Sequence, residues 1–232
     1  MVLSALLTNH AHQIQSFKVE AGTWCEIICL CKHLDFTDMP QLQIWNMMSI
    51  SNLVYHDDYD EVHPVNAFSV LAYPFYPDSE PVPNQELKHS GACMYPALID
   101  VTICGIPVTW SQFSMLNLKK LVLTKYPLGN QLLMQTLHGI LSNSKDTLET
   151  LILKWVIAME VDWTDNCLCL KCLTLPHIKD LNIGYIHAQE ACKIFQTLDF
   201  PAIHNLTLQG LPNYKVDSSV IFIDMMKYLP VE

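Results

Sequence analysis

Cysteine is the residue whose type and spacing first suggest chemistry in this chain. Cys25, Cys29 and Cys31 with His33 form one group, and Cys167, Cys169 and Cys172 form another. Six thiols and an imidazole are enough for a tetrahedral zinc site, which needs two close pairs or their equivalent. Only Cys169-x2-Cys172 has that spacing, and no matching pair follows it. In the run 167–175 the first cysteines alternate with leucines, as in a half-buried strand. Cys25 and Cys29 stand one helical turn apart. Free cysteine behaves as a small hydrophobe, so reduced, core-packing thiols and no metal are expected.

The second cluster runs from His56 through Asp57, Asp58, Asp60 and Glu61 to His63. It lacks the alternation and the glycine of a calcium loop, so a solvated acidic loop is expected. The chain has no nucleophile elbow and no His-Glu-x-x-His helix, so no catalytic residue and no enzyme activity are assigned. The seven glycines never come closer than Gly129 and Gly139. That spacing excludes a dinucleotide fingerprint and a phosphate-binding P-loop, and no cofactor is expected. All 13 basic residues are lysine, against 23 acidic ones, for a net charge of −10. Without a guanidinium to fork onto phosphates or guanine edges, nucleic acid is not expected as a partner.

These residues sit in a chain of 232 residues that is 50% hydrophobic and only 16% charged. That is long enough for one or two domains with a real core, and too apolar for disorder. No apolar run approaches a membrane span, and residues 1–10 lack the basic start of a signal peptide. An odd count of nine cysteines fits reduced thiols, so a cytoplasmic or nuclear location is expected. The sequon at Asn205 is taken as a chance match.

The elements that position everything else come from a repeat. An apolar-x-x-apolar-x-apolar pattern starts at Ile14, Leu42, Phe68, Leu98, Leu118, Leu148, Ile178 and Ile203. The spacings are 28, 26, 30, 20, 30, 30 and 25, averaging 27, inside the ~20–29 residues of leucine-rich repeats. Pro40, Pro96, Pro176 and Pro201 each stand two residues before a start, consistent with strand entry. If the copies stack as parallel strands, equivalent residues are neighbours ~4.8 Å apart. The second position then reads Lys119, Glu149, Lys179, and the third reads Asp100, Lys120, Thr150, Asp180, Asn205, with no like charges adjacent. Such pairs report register rather than stability.

Between the strands, helical periodicity spans Asn130 to Leu141 and His187 to Leu198, with Asn130 as an N-cap. Thr23 is expected to cap a helix carrying Ile27, Ile28, Cys31 and Leu34, and Ser218 or Ser219 one ending at Tyr228. Residues 78–91 read as a long loop. The expected fold is α/β: a single leucine-rich-repeat-like solenoid over 1–232, with a parallel sheet on its concave face and helices or loops on the convex face.

With the repeats placed, the run from Val101 through Trp110, with Leu116 to Leu123, Leu137 to Leu141, Asp146 to Leu151, Leu175 to Ile183 and Leu198 to Ile203, resembles the repeat region of fungal, mushroom-type F-box proteins. The resemblance covers roughly 14–211. It implies the substrate-recognition region of a ubiquitin ligase receptor. Members of that family usually begin with an F-box, a helical module that docks on the ligase adaptor. Fewer than twenty residues precede the first repeat strand here, so the adaptor is an expected partner only if a longer form carries that module. Leucine-rich repeats carry Asn or Cys at the ninth position; this chain has Ile50, Tyr76, Ile106, Tyr126, Val156, Ile186 and Leu211 there. Irregular turns closed by apolar packing are therefore expected.

Alternation along a strand sends positions one, four and six inward and positions three and five outward. The expected partner-binding face is thus Asp100, Thr102, Lys120, Val122, Thr150, Ile152, Asp180, Asn182, Asn205 and Thr207, contacting an unidentified protein. Two rival readings stand beside it: a cysteine-based metal-binding or redox protein, and a stand-alone repeat scaffold with no ligase link.

Overall fold

The computed structural model describes residues 10–22, 26–27, 39–49, 95–106, 115–126, 131–157, 172–186 and 188–210. A 3-10 turn, Ala11–Gln13, leads into β1 (Ser16–Ala21). Then come β2 (Ile44–Ser49), β3 (Asp100–Cys104), β4 (Lys120–Thr124), α1 (Met134–Ser144), β5 (Thr150–Lys154), β6 (Leu173–Thr174) and β7 (Asp180–Tyr185). The described chain closes with α2 (Ala188–Thr197), β8 (Leu198–Asp199) and β9 (Asn205–Gly210). The fold is α/β. Seven strands form one parallel sheet in the order β1-β2-β3-β4-β5-β7-β9, and β6 pairs with β8 in a separate parallel pair.

Every strand of the large sheet begins at the third position of its repeat, two residues after the predicted start. The register follows without offset: Ser16, Ile44, Asp100, Lys120, Thr150, Asp180 and Asn205 are successive Cα partners. A backbone device sets that alignment. The carbonyl at each second position accepts N–H bonds from the second and third positions of the next copy, as Lys119 O does from Glu149 at 2.8 Å and Thr150 at 3.0 Å. Glu149 O takes Lys179 and Asp180 in the same way, and Lys179 O takes His204 and Asn205.

Alternation buries one face. Leu98, Val101, Ile103, Leu118, Leu121, Leu123, Leu148, Leu151, Leu153, Ile178, Leu181 and Ile183 are all at most 1% exposed. Leu137, Ile140 and Leu141 of α1 and Ala191, Ile194 and Phe195 of α2 join the same cluster, so the helices cover the inner face. Fully burying one such side chain contributes ~1.5–3 kcal/mol, against ~0–1 kcal/mol for an exposed ion pair. The inward rows hold the sheet together; the outward pairs only tune it.

Several expectations are corrected. β2 and β3 are direct neighbours, Ile44 opposite Asp100, so the copy at Phe68, itself outside the described residues, has no place between them. The four prolines are not strand residues. Each follows a residue whose carbonyl accepts an N–H from three positions on, Met39 from Leu42 at 3.0 Å and Tyr95 from Leu98 at 3.1 Å. Proline's fixed φ suits that second position of a β-turn. α1 begins at Met134 rather than near Asn130, because the N–H of Leu132 is used by Val156 O at 2.6 Å and Leu132 bridges Ile157. Leu133, inside the expected helical span, is instead the N-cap and 46% exposed.

The turns after the strands are packed as expected, with Ile106, Tyr126, Val156 and Ile186 at most 7% exposed, but in three copies they are regular rather than irregular. The eighth position is left-handed in each: Gly105 at φ 71°, Lys125 at 57° and Trp155 at 56°. Their N–H groups bond the next strand, to Thr124 O, Lys154 O and Gly184 O at 2.8–2.9 Å. A backbone donor from each turn thus reaches the neighbouring copy, a role an asparagine ladder otherwise serves. The predicted helices at Thr23, beyond residues 26–27, and at Ser218 or Ser219, and the loop 78–91, lie outside the described residues. So do Ile50, Tyr76 and Leu211.

Candidate partner-binding face

The outward side chains of the large sheet form three rows, one for each outward position. All ten residues expected on the partner face lie in the first two, brought together by the register. Asp100, Lys120, Thr150, Asp180 and Asn205 are consecutive neighbours across five strands, and so are Thr102, Val122, Ile152, Asn182 and Thr207. Val122 and Ile152 are direct partners, which gives the face an apolar centre.

Both rows extend further than the sequence reading took them, to Ile44 and Asn46 on β2 and to Ser16 and Lys18 on β1. The same third and fifth positions of the Ile14 and Leu42 copies carry that signal. A third row, at the seventh position, was missed: Glu20, Met48, Cys104, Thr124, Lys154, Gly184 and Gln209. It follows from the same alternation once the strands are known to be five or six residues long.

Charges at the strand entrances are mutually compensated. Lys120 Nζ lies 3.3 Å from Asp100 Oδ2, and Lys179 Nζ lies 2.9 Å from Glu149 Oε2. The hydrogen bond and charge of Lys179, helped by the charges of Lys119 and His177, hold the Glu149 carboxyl below its ordinary pKa. Asn205 Nδ2 donates to Asp180 Oδ1 at 2.6 Å. At the strand exits the pattern changes: Lys154 Nζ donates to the neutral Gln209 Oε1 at 3.2 Å.

Among the described residues, the inner side contains one buried carboxylate. Glu190, 2% exposed, accepts the Ile186 N–H at 3.0 Å and so satisfies a donor just ahead of α2. That ties it to helix capping rather than to chemistry.

Of the cysteine groups only Cys172 is described; Cys25, Cys29, Cys31, Cys167 and Cys169 lie outside, as does the cluster from His56 to His63. Cys104, Cys172 and Cys192 are free thiols. The expected core packing holds only in part: Cys192 is half-buried against the core, Cys104 points outward, and Cys172 is exposed. Burial, then the charge of Asp199, pushes the Cys172 thiol up, away from the reactive thiolate. Among the described residues no three His, Cys, Asp or Glu are grouped to hold a metal ion. No described helix is long and apolar enough to cross a membrane.

Comparison with family models, curated proteins and solved structures finds no match for this chain. The fold and the face therefore define no more than a class: an α/β protein whose parallel sheet presents, among the described residues, an outward surface of mixed polar and apolar side chains.

Proposed function

We propose that the chain is a protein-interaction module, not an enzyme, which binds a protein partner through the outward face of its large sheet. One observation carries the reading. Four consecutive strand pairings without offset gather ten outward residues from five repeats into a contiguous patch, apolar at Val122 and Ile152 and polar at its margins. Interfaces favour that layout. The repeat length and the recurrent turns favour a leucine-rich-repeat-like solenoid, whose concave sheet is the usual binding surface. With the resemblance to mushroom-type F-box proteins, the role is substrate recognition, with the ligase adaptor a partner only if a longer form carries an F-box. The acidic, arginine-free composition supports a protein partner over nucleic acid, and the thiol-rich chain suits the cytoplasm or nucleus.

The test is position-specific crosslinking. A photoreactive residue at Ile152 is expected to trap a discrete partner in the cells the protein comes from; the same residue at Gln135, on the exposed side of α1, is not. With that partner purified, Ile152→Lys and Asp180→Lys weaken binding and leave the melting temperature nearly unchanged. Crosslinking from Gln135 and not from Ile152 overturns the reading. Co-purification of a form carrying the F-box with adaptor and cullin tests the ligase link separately.

A further inference from the structure

We draw no further inference here: the strongest candidate, the outer edge of β9 with the half-buried Leu206 and Leu208 on its inner face, carries nothing, because nothing in the structure shows what covers it.

Discussion

Lys154 lies across Gly184. A β-carbon built on Gly184 would come within 3.0 Å of Lys154 Cβ and Cγ and 3.1 Å of its Cα, and past that point the lysine reaches Gln209 on the next strand. The missing side chain is what lets a long cation cross one strand to contact another. Gly184→Ala is expected to destabilise by about 1–3 kcal/mol, the cost of overpacking, because a backbone atom is among the groups that must move. Urea unfolding measures it; an unchanged midpoint means the sheet yields there freely.

Gly139 is the contrast. It sits inside α1, is exposed, and nothing lies within 4 Å of a β-carbon placed on it. Gly139→Ala should stabilise by roughly 0.5–1 kcal/mol through helix propensity and a less disordered unfolded chain. A fall in thermal midpoint would show that α1 packs against something at that position.

The left-handed turns make a paired prediction. Gly105→Ala should cost about 1–2 kcal/mol, since an L-residue is strained at φ 71° and its β-carbon would stand 3.3 Å from Ser49 Cβ. Lys125→Gly relieves strain of that kind and loses a similar amount to glycine's extra freedom when unfolded, so a change under about 0.5 kcal/mol is expected. Equal effects at the two sites in denaturant unfolding would refute a shared turn geometry.

Residues 151 and 152 separate stability from recognition. Leu151 is fully buried, and Leu151→Ala should cost about 2–5 kcal/mol. Ile152 is half-buried on the outward face, and Ile152→Ala should cost less than about 1.5 kcal/mol. Calorimetry on both variants checks the assignment of faces with no partner in hand.

Glu149 makes acid stability measurable. Its pKa is depressed by Lys179, so the folded form holds its charge more strongly than the unfolded one. The ion pair's contribution is complete above the unfolded value of 4.5 and disappears as pH falls through the lower folded value. Glu149→Gln should therefore flatten the stability curve only on that acid limb, and high salt should mimic it because the pair is exposed. An NMR titration placing the Glu149 carboxyl at or above 4.5 would contradict the geometry.

The strand positions, their register and the two faces were legible in the sequence because each is a local consequence of one-sided burial. A period of two sends Leu121 and Leu123 inward and Val122 outward whatever surrounds them, and the charge rows at Lys119 and Asp100 could be aligned because neighbouring copies must not set like charges together. The amphipathic stretch around Ala191, Ile194 and Phe195 was legible for the same reason at the helical period. Other features needed the assembled chain. Only Gly105 carries a sequence signal for a left-handed turn; Lys125 and Trp155 adopt the same conformation without one. α1 starts late because the chain just beyond β5 claims the Leu132 backbone, through Val156 O and an isolated bridge to Ile157. The direct meeting of β2 and β3 and the path of Lys154 over Gly184 to Gln209 join residues far apart in sequence. Periodicity reports what one segment buries, while the choice of neighbour is made by long-range hydrogen bonds and packing, which exist only once the sheet has formed.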